Sequence, residues 1–205
     1  MTNITALINE RIEQYDLKEL YHIHRFYEAK RQRIQRLSKF KPKTSRRLLR
    51  KYSNRERNRA KDFMNKLTTE IAGRLKESSS GAVMERLKGI KHNVLNRSRR
   101  QNRKLPKWNA RTFQSMLEYK LKWLGLPVKY VDAKNTSKTC PICSGYLVAY
   151  GGRLMKCEKC SLIMDRDIVA VLNLQMRGAG LPQRALNELI EREGISRGEI
   201  LYIST

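Results

Sequence analysis

Two Cys-x-x-Cys pairs constrain this chain more than any other feature. Cys140 and Cys143 form the first, Cys157 and Cys160 the second, with 13 residues between them, and they are all four cysteines of the 205 residues. A Cys-x-x-Cys sets two sulfurs on one tight turn, and two such turns close a tetrahedron around zinc. Two disulfides or a redox pair are the alternatives. Disulfides belong mainly to secreted chains, and no charged n-region, apolar h-region and cleavage site opens this one. The spacing predicts a structural Zn²⁺ on the four cysteines, with Tyr146 to Leu154 as the hairpin between the pairs, turning at Gly151-Gly152.

Charge is the second constraint. Lys and Arg number 44 against 19 Asp and Glu, a formal net charge of +25. Such an excess predicts a polyanionic partner. No apolar run reaches the ~18 to 20 residues that span a bilayer, so nucleic acid is favoured over an anionic membrane, and a cytoplasmic location goes with it. The excess is concentrated: residues 25–61 hold 16 Lys/Arg and two acids, Glu28 and Glu56. A solvated helical surface does not need that imbalance, whereas phosphate contact neutralises it. Arg31, Arg33, Arg36, Arg46, Arg47 and Arg50 are the expected contacts there. Arg97, Arg99, Arg100 and Arg103 are expected contacts in a second basic stretch, 92–107, read as an exposed loop or frayed helix.

The elements follow from periodicity. Residues 3–8 read as a short strand and 11–20 hold another. Tyr21 to Leu37 carries a helical apolar face of Ile23, Phe26, Tyr27 and Ile34, broken at Pro42. Thr44 or Ser45 is expected to cap a longer helix to about Lys76, with Leu48, Leu49, Tyr52, Ala60, Phe63, Met64, Leu67, Ile71 and Leu75 as its buried stripe. Ala82-Val83-Met84-Glu85 is a strand ending in a carboxylate. Trp108 to Leu124 is a helix stopped by Gly125, with Trp108 and Trp123 expected as core anchors. Residues 127–131 form a strand, and Asp165 to Gln175 a helix ended by Gly178-Ala179-Gly180. His22, His24 and His92 have no partner at ligand spacing and are expected to face solvent or phosphate.

Three acids stand where a metal-dependent nuclease needs them: Glu85 at a strand end, Asp165 and Asp167 at a helix start. Carboxylates gathered at such places bind Mg²⁺, which stabilises the attacking and leaving oxygens of phosphodiester cleavage. An acid in a first helical turn is more often a cap, so Asp165-Arg166-Asp167 alone is a weak signal.

Ala82-Val83-Met84-Glu85-Arg86-Leu87-Lys88-Gly89-Ile90, Thr136-Ser137-Lys138-Thr139-Cys140-Pro141-Ile142-Cys143, Cys157-Glu158-Lys159-Cys160 and Asp165-Arg166-Asp167-Ile168-Val169-Ala170 resemble, in order, the TnpB (OrfB) proteins of insertion sequences. They are also similar to the nuclease half of type V CRISPR effectors. The resemblance runs over about 1–178. It implies an α/β fold, an RNase H-like (RuvC-like) mixed sheet with a long basic helical insertion and a zinc ribbon insert. It also implies an RNA-guided, Mg²⁺-dependent DNA endonuclease with DNA and guide RNA as partners. Glu85 matches the second-motif glutamate, Asp167 the third-motif aspartate, and Asp165 a position often acidic. The family often has Asn where Val169 stands here. Its first aspartate lies on a strand preceding a segment like Asn3 to Leu7, and no residue of this chain matches it, nor is the preceding recognition region matched. Asp16, Asp62 and Asp132 are the remaining acids weighed for a third ligand.

The expected organisation is a partial nuclease domain at 1–135 and 161–178, with 20–77 as its basic insertion, a zinc ribbon at 136–160 and a polar tail at 179–205. Three functions compete: a nuclease fragment that binds nucleic acid but does not cleave alone, a non-catalytic regulator competing for guide RNA or DNA, and a plain zinc-ribbon binding protein. The ordered Glu85 and Asp167 motifs argue against the last.

Overall fold

The structure is a computed structural model. It describes residues 3–8, 11–87, 110–180, 187, 188 and 191, with the backbone alone at Ala179. The stretch 92–107 with its four arginines, His92, Trp108 and most of the 179–205 tail lie outside the described residues. The chain divides into two compact units, one on 1–4, 16–77 and 89–125, the other on 5–15, 78–88 and 126–205.

The first unit is helical. Helix α1 (Lys18–Arg36) starts earlier than its apolar pattern suggests, because Asp16 Oδ1 accepts the Lys18 N–H at 2.7 Å. Leu20, Ile23, Tyr27 and Ile34 form its buried stripe, at the 3, 4 and 7 spacing of one helix face. After a 3₁₀ turn (Leu37–Lys39), helix α2 runs Pro42–Glu77. Proline stands at the first helical position, where its missing N–H costs nothing. Ser45 is not the expected cap: it is buried, and its hydroxyl donates to the Ile34 carbonyl at 3.1 Å, joining α2 to α1. The stripe of α2 is buried from Ala60 to Leu75, but Leu48, Leu49, Tyr52 and Phe63 are only half-buried.

Two expectations fail here for geometric reasons. His24 has a partner: its Nδ1 lies 2.7 Å from Glu56 Oε1, and Glu56, buried in the α1–α2 interface, also pairs with Arg31. The histidine on α1 and the glutamate on α2 are 32 residues apart, beyond any local spacing rule. Trp123 is no core anchor. Helix α3 (Ala110–Trp123) buries Phe113, Leu117 and Leu121. At ~100° per residue, Trp123 lies roughly 200° beyond Leu121, and it is 80% exposed. Lys120 instead fixes α3 on α2, its ammonium donating to the Asn65 carbonyl (2.6 Å) and to the Thr68 (2.9 Å) and Thr69 (2.5 Å) hydroxyls.

The second unit is mixed α/β. Strand β3 (Ala82–Glu85) pairs parallel with β4 (Val128–Val131) in the register Ala82↔Val128 to Glu85↔Val131. Strands β1 (Asn3–Ile8) and β2 (Arg11–Asp16), shared between the units at their ends, form a second pair. Three antiparallel strands, β5 (Leu147–Gly151), β6 (Leu154–Cys157) and β7 (Ile163–Asp165), form the third sheet. Strand β7 is absent from the sequence reading, since three residues carry no readable alternation. It extends the hairpin sheet to Asp165, where helix α4 (Arg166–Ala179) begins.

One core unites ribbon and helix: Cys140, Leu147, Cys157, Leu162 and Met164 pack with Val169 and Leu172 of α4, with Leu7 and Ile12 of β1 and β2 against them. Val169, where a family pattern favours Asn, is wholly buried in this core. Polar ties reinforce it. Asn173 donates through Nδ2 to the Thr136 (2.7 Å) and Thr139 (2.8 Å) carbonyls, and Arg177 to the carbonyls of Asp132 and Lys134. Helix α4 also lies hard on β3: a Cβ at Gly178 would come within 2.3 Å of the Val83 side chain. Gly180 then closes α4 in the left-handed conformation (φ 71°), the usual glycine helix stop.

Candidate metal centre and nucleic-acid interface

The two cysteine turns are built alike. In the first, the Cys140 N–H donates to Gly145 O (2.8 Å) and the Ser144 N–H to Cys140 O (3.0 Å). In the second, the Cys157 N–H donates to Leu162 O (2.8 Å) and the Ser161 N–H to Cys157 O (3.1 Å). Ser144 and Ser161 both sit in the left-handed region, at φ 58° and 57°. That conformation costs roughly 1–2 kcal/mol outside glycine, and the repeated backbone bonds hold it.

These turns bring four sulfurs together, all within 4.8 Å of one another. Cys140 and Cys160 Sγ are 3.6 Å apart, Cys143 and Cys157 Sγ 3.5 Å. A disulfide needs ~2.05 Å; a tetrahedron with Zn–S of ~2.3 Å has edges of about 3.8 Å. All four cysteines are free thiols, so the donor set fits a tetrathiolate metal. Burial pushes the Cys140 thiol up to about 12. Cys143 falls to about 7, where burial is outweighed by the Gly145 N–H and neighbouring thiols. A metal entering this site displaces protons, since the thiolate is the ligand.

The acids are arranged differently. Asp165 is the N-cap of α4, its Oδ1 accepting the N–H groups of Asp167 (2.8 Å) and Ile168 (3.4 Å). Asp167, in the first turn, pairs with Arg153 and has Arg166 Nε 3.6 Å away. Arg153 stands just after the Gly151-Gly152 turn, and its Nε also lies 3.5 Å from Asp165. One guanidinium thus spans both aspartates. Glu85 ends β3, and desolvation raises its carboxyl above the ordinary range. The other acids are used locally: Asp16 pairs with Lys18, Asp62 with Lys66, and Asp132 accepts the Lys134 N–H. Among the described residues, the four cysteines are the one group of three or more His, Cys, Asp or Glu placed to hold a metal ion.

Comparison with known proteins gives a consistent result. Residues 111–174 match the family model described as Cas12f1-like, TNB domain. The chain is 38% identical over 164 residues to the TnpB-like protein MJ0751 of Methanocaldococcus jannaschii, covering 80% of this chain and 58% of that protein. It is 36% identical over 138 residues to MJ0012 of the same organism, covering 67% and 62%. On these matches the chain is similar to the TnpB-like proteins. It spans about three-fifths of the length of these curated relatives. A solved CRISPR-Cas12f ternary complex superposes with a TM-score of 0.64 over 84% of this chain and 36% of that one, at 23% identity. The Cas12f1–sgRNA–target DNA complex gives 0.57 over 84% and 49%. At such identity these structures speak for the fold alone, and the mixed α/β fold of this chain resembles that of the matched portion of Cas12f.

In this TnpB-like chain the basic positions divide by exposure. Arg33, Arg36, Arg46, Arg47 and Arg50 are exposed on α1 and α2. Arg31 is partly buried and committed to Glu56. Sequence reasoning passed over Arg153 and Asn173. An arginine after a Gly-Gly turn resembles any other of the 44 cationic residues, and only the fold sets it between two aspartates. Asn173 sits in an otherwise apolar helical run, which is a readable signal: a buried amide needs partners.

Proposed function

We propose that this chain is the nucleic-acid-binding and nuclease-site portion of a transposon-encoded RNA-guided DNA endonuclease of TnpB type, and that by itself it binds nucleic acid without cleaving it. The supporting observation is the contrast between a cationic α1–α2 pair and an acid set engaged by arginine. Residues 25–61 carry 16 Lys/Arg against two acids, and Glu56 is spent on His24 and Arg31. The exposed arginines of α1 and α2 are left for phosphates of DNA or guide RNA, supplying affinity independent of sequence.

In this reading the ribbon is a structural zinc site on Cys140, Cys143, Cys157 and Cys160. It fixes the strand that ends in Asp165 and so sets where α4 presents Asp167. Glu85 and Asp167 are the chain's own nuclease carboxylates. Asp165 holds the helix start, and Arg153 holds Asp167 in place. Mg²⁺ is the metal the resemblance implies for these carboxylates, although among the described residues no group of three or more acids is close enough together to hold an ion. No described helix is long and apolar enough to cross a membrane. The test is incubation of the zinc-loaded chain with single-stranded DNA and Mg²⁺ or Mn²⁺. The expected result is a shifted but intact strand; cleavage that disappears in Glu85→Gln would contradict it.

A further inference from the structure

A groove on the α1–α2 pair combines aromatic rings with cations. It measures about 390 Å³ and is lined by Phe26, Lys30, Arg33, Ile34, Leu48 and Tyr52 among others, within the roughly 300–1,000 Å³ of small-ligand sites. Phe26 is 55% exposed although Ile23 and Tyr27 beside it are buried. The Lys30 ammonium lies 4.3 Å from the Tyr52 ring centroid and 5.4 Å from that of Phe26, and the Arg55 guanidinium lies 5.7 Å from Tyr52. No acid stands among the lining residues. Contact with phosphate alone calls for cations, not for a ring kept half in water on a strongly basic face. Rings interleaved with cations are what a single strand uses: the bases stack on the rings and the backbone follows the charge.

We propose that this groove is a base-stacking subsite that takes an unpaired nucleobase of RNA over Phe26 and Tyr52, with Lys30, Arg33 and Arg55 on the flanking phosphates. This rests on the nucleic-acid-binding reading above and adds the form of the ligand. A duplex keeps its bases stacked on one another and offers this groove phosphates only. RNA presents unstacked bases in loops and bulges, where aromatic side chains and guanidinium planes receive them. The alternative role for Lys30, gluing α1 to α2 by its ring contacts, predicts loss of stability without loss of discrimination between strands.

The test uses the full zinc-loaded chain, a labelled single-stranded RNA carrying 2-aminopurine, single-stranded DNA of the same sequence, and a duplex DNA of equal length. Phe26→Leu with Tyr52→Leu keeps apolar bulk but removes the rings; circular dichroism and a thermal melt check folding, and Tyr52→Trp supplies a rescue. The double variant is expected to lose about tenfold in affinity for the single-stranded RNA, the scale of one stacked base. It should keep its duplex affinity within about twofold and lose the 2-aminopurine response that the unaltered chain and Tyr52→Trp give. Equal loss on single strand and duplex, or no loss, overturns the subsite and leaves the binding reading standing. An equal loss with single-stranded DNA overturns the assignment to RNA. Failure of the unaltered chain to bind any of the three overturns both the subsite and the reading beneath it. Arg46→Ala with Arg47→Ala and Arg50→Ala must weaken all three ligands together, which separates the charge from the rings.

Discussion

The helical unit and the ribbon unit solve the problem of holding a small structure together by opposite means. The α1–α2–α3 unit has long apolar stripes to bury, such as Met64, Leu67, Ile71 and Leu75 on α2 and Leu117 and Leu121 on α3. It can therefore carry a surface crowded with like charge. The ribbon has short strands of three to five residues and a core in which two of seven buried residues are cysteines. A core so small needs a staple, and four converging sulfurs are that staple. The lesson is a division of labour: packing leaves the helices a cationic surface for the proposed phosphate contacts, while the cysteines of the ribbon serve its own stability.

That contrast breaks most visibly at the metal. Cys157→Ser removes a wholly buried sulfur from a kind of site whose metal contributes roughly 10–16 kcal/mol in isolated zinc modules. The expected outcome is loss of bound zinc by elemental analysis and of the ribbon's thermal transition, with most helical circular dichroism retained. Because Cys140 is held near 12 and must give up its proton, zinc retention should also fall as the pH is lowered. In the helical unit the corresponding weak point is a charge. Glu56→Ala strands Arg31 and His24 in a half-buried place, and breaking a buried ion pair costs about 3–5 kcal/mol, read as a lower denaturation midpoint with zinc still bound.

Smaller effects sharpen the same contrast. Gly178→Ala forces a methyl into Val83 at the α4–β3 contact, and overpacking of this kind costs about 1–3 kcal/mol, visible as a drop in melting temperature. Glu85→Gln tests burial by its pH dependence. Desolvation raises the Glu85 carboxyl above its usual 4.5, so the folded chain holds that proton longer than the unfolded one. Stability then falls as pH rises from about 4.5 through the raised value, and the glutamine variant should lack that fall in pH-dependent melts. Trp123→Ser, at an 80% exposed position, should change stability by no more than ~0.5 kcal/mol.

What the sequence made legible follows the range of each interaction. The cysteine quartet and the Gly151-Gly152 turn are local patterns, and so are the strand 82–85 and the stop of α4. The capping role of Asp165 is readable from its position before a helix and is seen in its bonds to Asp167 and Ile168. The partners of His24, Ser45, Lys120 and Arg153 are not legible, because each is chosen by tertiary packing across 11 to 55 residues. Trp123 shows the same limit from the other side. An aromatic residue near a helix end looks apolar enough for a core, yet the 113–117–121 stripe decides which face is buried. Strand β7 is too short to show a period and exists only because β6 offers it an edge.

The central proposal is that α1 and α2 form a phosphate surface. The most direct measurement is the slope of log Kobs against log salt for the zinc-loaded chain on single-stranded nucleic acid, beside the Arg46→Ala, Arg47→Ala, Arg50→Ala variant. Each neutralised phosphate contributes about 0.7 to the slope on a single strand, so the predicted result is a steep slope that loses roughly two units in the variant. A shallow slope, or one that the three substitutions leave unchanged, would contradict the account.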